Sequence, residues 1–289
     1  MPELPEVETV VRQLRRSLVG QRVRSIILHT PSTIRCRHFP ARRLIGCTIR
    51  AVRRRGKFIR LDLAAPSRSP QGTGVTVLVH LRMTGSLRIH AGRPPRERHD
   101  HIDLVLDGRP EPACLRFSDI RKFGGWWLLP GDVADAAAPL AALGPEPLEI
   151  SRDDFRRLLA GHKQRVKTLL LDQRRLAGMG NIYTDEALFA AGIHPEARAC
   201  DVPAAKVDAL WRAMRRILRA AIRHCGSSTS DFVGADGRRG RYQEHHQVYG
   251  RADQPCRRCG ARLKYLRVAG RGTTFCPRCQ ALQRGRKKR

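Results

Sequence analysis

The chain has 289 residues and carries 56 Lys and Arg against 26 Asp and Glu, a formal charge of +30 at neutral pH. Such an excess needs a polyanionic partner or strong screening, and nucleic acid is the most economical one. A membrane anchor and a secretory leader are not expected, because there is no long apolar run or lipidation motif, and Arg12, Arg15 and Arg16 interrupt the apolar residues near the start. The composition therefore predicts a soluble, cytoplasmic protein.

The first stretch, MPELPEVET, begins a helix by local rules. Proline suits a first helical turn, and acidic residues there complement the positive end of the helix dipole. Val7, Val10, Val11, Leu14 and Leu18 then recur at helical spacing as a stripe to be buried. The same residues allow a chemical reading. Removal of Met1 would leave Pro2 as a terminal secondary amine, and an α-amino group titrates near ~7.8 against ~10.4 for lysine, so far more of it is neutral at pH 7. A helix N-terminus disfavours its proton further, while Glu3 beside it pulls the other way.

Short β-rich runs follow at 22–29, 47–53, 58–63, 75–81, 86–90, 101–106, 113–118 and 126–129, and predict an antiparallel β-sandwich within a first domain over 1–130. Residues 131–150, rich in Ala, Pro, Gly and acidic residues, predict a linker. A helical domain is expected over 151–246, opened by a Ser151 cap and including a long helix within 202–224. A second β-rich unit is expected over 247–282, and a basic tail over 283–289. The fold class is thus α+β with several domains. Residues 227–242, rich in Gly, Ser and Arg, are a candidate mobile loop.

Nine cysteines are an odd number for a disulfide framework, and Cys36, Cys47, Cys114, Cys200 and Cys225 show no pattern. Cys256, Cys259, Cys276 and Cys279 form two close pairs separated by sixteen residues, the spacing of a four-thiolate zinc site. Four thiolates leave no open position, so one structural zinc is expected rather than a catalytic one; a redox pair or a disulfide is the alternative. The hairpin between the pairs carries Val268-Ala-Gly-Arg271-Gly, which offers one arginine to DNA or is an ordinary glycine turn. Gly178-Met-Gly-Asn181 stands between helical segments and, with Lys167 one helix earlier, makes a phosphate clamp plausible. Two loops, around Met83 and from Phe117 to Phe123 with Arg121, mix basic and large apolar residues of the kind that fill the gap left by an extruded base; core packing is the default reading of the Met and Phe.

In order, these pieces resemble the formamidopyrimidine-DNA glycosylases, bifunctional enzymes that excise oxidised purines. The resemblance covers nearly the whole chain: Pro2-Glu3-Leu-Pro-Glu6 at the N-terminus, Arg55-Gly-Lys57, His99-Asp-His101, Gly180-Asn181-Ile-Tyr183 of a helix-two-turn-helix element, and the four cysteines of a zinc finger. It implies Pro2 as nucleophile, Glu3 as proton donor, Lys57 assisting β-elimination and Arg271 assisting δ-elimination. It also implies DNA contacts from His99, Arg121, Lys167 and Asn181, a basic position at His162, and a void-filling wedge of Met83, Arg121 and Phe123. Departures from the family motifs are Arg82 for glycine, Ile120 for proline, Lys122 for arginine, and the histidine at 162. The expected partner is damaged double-stranded DNA and the expected reaction is base excision with strand cleavage. The alternatives are an endonuclease VIII-like enzyme for oxidised pyrimidines, against which Leu4 and the Arg121/Phe123 loop speak, and a non-catalytic zinc-ribbon nucleic-acid binder.

Overall fold

A computed structural model describes residues 1–35, 40–66, 74–108, 112–131, 134–136 and 139–282; the basic tail and Cys36 lie outside the described residues. The chain forms two compact units, residues 1–142 with 224–241 and residues 143–223 with 242–289.

The first unit contains helix α1 (Leu4–Leu18) and the strands β1 (Val23–Leu28), β2 (Thr48–Arg55), β3 (Phe58–Ala64), β4 (Val75–His80), β5 (Gly85–Ala91), β6 (Asp100–Leu106), β7 (Ala113–Asp119) and β8 (Gly125–Pro130). All pair antiparallel in two four-stranded sheets, ordered β1-β6-β7-β5 and β2-β3-β4-β8. One core joins Ile49, Leu61, Val77 and Trp126 of one sheet to Leu87, Leu104 and Phe117 of the other, and to Val7, Val10, Val11, Leu14 and Leu18 of α1. The helical stripe read from the sequence is therefore the face that α1 buries, at about 1.5–3 kcal/mol for each large side chain.

The second unit contains α2 (Arg152–Ala160), α3 (Val166–Leu171), α4 (Asn181–Ala191), α5 (Ala204–Arg223) and a hairpin of β9 (Lys264–Val268) and β10 (Arg271–Phe275). Ser151 caps α2, its Oγ accepting the Asp154 amide at 3.0 Å. α4 ends at Gly192, whose φ of +63° is the left-handed cap conformation suited to glycine. The β-rich stretch expected over 247–282 reduces, among the described residues, to this one hairpin, because turns around the cysteines occupy the rest.

Two boundaries differ from the sequence expectation. Residues 143–150 belong to the second unit rather than to a linker: Gly144 N donates to Gln173 O, Ala177 N donates to Pro145 O, and Glu146 and Ile150 are buried. Residues 224–241 group with the first unit rather than with a helical domain over 151–246, since α1 and β5 hold their backbone by the contacts described next.

Candidate functional site

The start of α1 is a tightly made corner. Pro2 and Glu3 are buried, and the Glu3 amide donates to Glu6 Oε2 at 2.8 Å, one arm of a capping box. Glu6, 1% exposed, uses its other oxygen to accept the Ser227 amide at 2.7 Å. Gly226 has φ +79°, and a Cβ there would lie 2.7 Å from Glu6 Oε1, so the close approach requires glycine. Two turns further along, Gln13 Oε1 accepts the Ala235 amide at 2.7 Å, and Ile89 of β5 donates to the Ala235 carbonyl at 3.0 Å. Inside the loop, Ser228 Oγ donates to Phe232 O and accepts from Gly240 N. The segment read as a mobile candidate is thus fastened to α1 and β5 at several points.

Lys57 sits in the two-residue turn joining β2 and β3, after Gly56 at φ +55°, the position that favours glycine in a II′-type hairpin. Its side chain is buried. Beside it, burial pushes the His80 imidazole down to about 3, and the Arg82 and Lys57 cations push the same way. His80 is accordingly neutral at physiological pH, its Nδ1 accepting the Arg82 amide at 2.9 Å.

The two loops suspected of forming a wedge meet. Arg121 Nη1 lies 3.2 Å from the Met83 sulfur and its guanidinium stacks 4.5 Å from the centre of the Phe123 ring. Asp119 organises the turn, with Oδ2 accepting Gly124 N at 2.7 Å and Oδ1 accepting Arg121 N at 3.2 Å. Met83 is 44% and Phe123 51% exposed, so neither is a core residue. Two departures from the family motif, Arg82 and Lys122, take φ of +54° and +56° in these same turns, a conformation costly for side chains with a Cβ.

Behind the segment bearing His99 lies an ion cluster that the sequence did not disclose. Arg116 pairs with Asp103 at 2.7 and 2.9 Å and with Asp100 at 2.8 Å, and donates to the carbonyls of Pro94 and Pro95. Burial alone would raise the Asp103 carboxyl, but hydrogen bonds from Arg116, His29 and Arg93 outweigh it and hold the group well below the usual carboxylate range. His101 is buried, with its ring nitrogens against Thr30 Oγ1 and Asp119 O, whereas His99 is only half-buried.

In the second unit the structure corrects the reading of Lys167. Its side chain is fully buried, with Nζ donating to Asp185 Oδ1 at 2.6 Å, Thr273 Oγ1 at 2.8 Å and Gly272 O at 3.1 Å. An ammonium with its three donors so engaged in protein has none to offer a phosphate. Burial pushes the Asp185 carboxyl up to about 7, while Lys167 and the Thr274 amide pull it back. Asn181 is the first residue of α4 and donates from Nδ2 to the same Gly272 carbonyl at 2.8 Å. Lys167 and Asn181 therefore fix the hairpin beside Arg271, which is exposed next to the two-residue turn Ala269-Gly270. His162, half-buried, turns Nδ1 to the Leu158 carbonyl at 2.7 Å and so closes the end of α2.

Cys256, Cys259, Cys276 and Cys279 bring four Sγ atoms within 4.8 Å of one another. Tetrahedral Zn–S bonds of about 2.3 Å space their sulfurs by about 3.8 Å, so the cluster is of the right size. Arg258 N and Cys279 N point at the sulfurs of Cys256 and Cys276 at 3.4 and 3.3 Å, as donors that would stabilise bound thiolates. The set fits one structural zinc, and Gln280 ties it to the helices through Ile193 O at 2.8 Å.

With the motifs that resemble the formamidopyrimidine-DNA glycosylases, the helix-capped sandwich, the helical unit and the four-thiol hairpin point to a DNA-repair glycosylase. Comparison with known sequences gives the same result: the formamidopyrimidine-DNA glycosylase N-terminal domain matches residues 1–126, the H2TH domain of that enzyme 143–233, and the zinc finger found in FPG and IleRS 253–282. A formamidopyrimidine-DNA glycosylase of Shewanella piezotolerans is 42% identical over 287 residues, 97% of this chain and 99% of that protein. Its counterpart from Pelotomaculum thermopropionicum is 39% identical over 288 residues, 98% and 100%. Among solved structures, Lactococcus lactis Fpg bound to abasic-site DNA superposes with a TM-score of 0.87 at 36% identity, covering 97% of this chain and all of that one. The same Lactococcus enzyme bound to DNA with an oxidised pyrimidine gives 0.86 at 36% identity and the same coverage. The chain belongs to the formamidopyrimidine-DNA glycosylase family of base-excision repair enzymes. Among the described residues no helix is long and apolar enough to cross a membrane.

Proposed function

We propose that this enzyme acts as a monomer on damaged duplex DNA, removes 8-oxoguanine and formamidopyrimidines, and cuts the strand at the same site. The observation that carries the reading is the seating of Pro2, buried at the head of a capped helix beside Glu3. With Met1 removed, the Pro2 amine attacks C1′ and the base leaves with the electrons of the glycosidic bond. The sugar ring opens as Glu3 protonates its oxygen, leaving an iminium on the proline nitrogen. The iminium acidifies the C2′ proton; its loss expels the 3′ phosphate with help from Lys57, and a second elimination, assisted by Arg271, expels the 5′ phosphate. Hydrolysis of the iminium frees Pro2.

His99, Asn181 and Arg271 contact phosphates in this scheme, and Met83, Arg121 and Phe123 fill the space of the extruded nucleotide. His162 serves as an accessory basic position. Lys167 is a positioning residue, acting through Gly272 and Thr273 on the hairpin of Arg271. Zinc, held by the four cysteines, supplies structure only. The protein works in the cytoplasm on nucleoid DNA.

Borohydride reduction during turnover is expected to trap a covalent adduct of lesion DNA with Pro2, and an N-terminal extension to abolish both adduct and cutting. Cutting that survives the extension would overturn the mechanism. The oxidised-pyrimidine complex of the Lactococcus relative favours a second reading, with pyrimidine lesions as main substrates. Duplexes with thymine glycol and with 8-oxoguanine separate the two, and faster cutting of thymine glycol would reverse the assignment.

A further inference from the structure

The outer face of α5 carries charge that the reaction does not use. Arg212, Arg215, Arg216, Arg219 and Arg223 fall within about 100° of the helix circumference and span roughly 16 Å of its axis. They line, with Trp211, a shallow groove of about 370 Å³. The opposite face of α5, from Val207 and Leu210 to Ala221 and Ile222, is buried. Among the described residues none of the five arginines is ion-paired to a carboxylate. The nearby Asp208 is bound by Arg156 at 2.7 Å, and Arg215 reaches the Ile150 carbonyl at 3.4 Å while stacking 4.7 Å from the Trp211 ring. Burial, and after it the neighbouring Arg219 cation, push the Arg215 value down.

We propose that this arginine face binds the phosphate backbone of duplex DNA without regard to sequence, as a second contact beyond those that hold the lesion; the proposal rests on the DNA-glycosylase reading. Charge complementarity selects the partner. A duplex carries about one charge per 1.7 Å of axis, so a length of 16 Å offers on the order of nine phosphates, of which the facing ones suffice for five guanidinium forks. A protein partner is disfavoured by the absence of an apolar centre: no large exposed hydrophobic residue lies on α5, and the one aromatic ring is already covered by Arg215. Holding a second stretch of backbone lets the enzyme pass from one duplex segment to another without leaving DNA entirely.

The test uses the full-length zinc-loaded enzyme with Arg212, Arg216 and Arg219, all exposed, changed together to Gln, and to Lys as a charge-preserving control. The Gln variant is expected to bind long undamaged duplex about tenfold or more weakly near physiological salt, with the slope of log K against log salt reduced by about 2 to 3 units. Competitor duplex is expected to speed dissociation of the wild type and the Lys variant but not of the Gln variant. Single-turnover cutting of a short lesion duplex at saturation stays unchanged in all three, and unaltered thermal unfolding verifies the fold. An unchanged salt slope overturns the proposal. So does a slope that stays put while the Gln variant alone loses binding to polyglutamate, which would mark the face as a protein site. Failure of the wild type to cut any lesion would instead overturn the enzyme reading and leave the slope measurement to judge this face.

Discussion

Lys167→Met tests the buried clamp that Lys167 makes at the hairpin. The change removes three hydrogen bonds at once, to Asp185, Thr273 and Gly272, and leaves Asp185, only 2% exposed, without its cation. Breaking a buried pair on one side costs about 3–5 kcal/mol. The cost also depends on pH in a defined sense. Asp185 is raised from 3.8 to about 7 in the folded protein, so its contribution to stability is full below the unfolded value and is lost as pH rises through 7. In the wild type that loss ends near pH 7, where the carboxylate forms opposite Lys167. In the variant no cation receives it, and the loss continues at up to about 1.4 kcal/mol per pH unit, adding about 2 kcal/mol by pH 8.5. Urea unfolding of the zinc-loaded protein at pH 6 to 8.5 measures both parts, and the double change with Asp185→Leu is expected to recover most of the loss. A cost below about 1 kcal/mol, joined to a salt slope for DNA binding lower by about one unit, would refute the buried clamp and restore Lys167 as a direct phosphate ligand.

Three further outcomes follow from local geometry. Gly226→Ala forces a Cβ to within 2.7 Å of Glu6 Oε1 at φ +79°, so it should lower stability by about 2 kcal/mol or more and slow excision; an unchanged unfolding midpoint would contradict the contact. Ala269→Asn places the favoured Asn-Gly pair in a hairpin turn whose φ values are +48° and +74°, and should stabilise the protein by roughly 0.5–1 kcal/mol in thermal unfolding without altering cutting. Phe123→Ala, at a half-exposed position, should leave stability within about 0.5 kcal/mol while excision from duplex DNA falls at least tenfold; a parallel loss of stability would mean that Phe123 is a packing residue.

Patterns of short range in the sequence translated directly into structure. The Val and Leu stripe of α1, the eight strand runs, the Ser151 cap and the two cysteine pairs each depend on neighbours a few residues apart, and each appears where the spacing places it. Boundaries were less legible. Whether residues 224–241 belong with the helices or with the sandwich turns on Glu6 meeting Ser227 and Gln13 meeting Ala235, more than two hundred residues apart in sequence.

The sequence by itself determined the chemistry available: a proline and a glutamate at the head of a helix, an arginine in a glycine-flanked hairpin, four thiols at zinc spacing, and charge enough for DNA. Only the tertiary structure decided how those groups are used. It brought Met83 to Arg121 and Phe123 from separate loops, and it took Lys167 out of solvent into a pair with Asp185. The reason is physical. A residue type fixes charge and donors, but exposure and partners are set by packing between elements distant in the chain, and a lysine reads the same in sequence whether its ammonium meets a phosphate or a buried carboxylate.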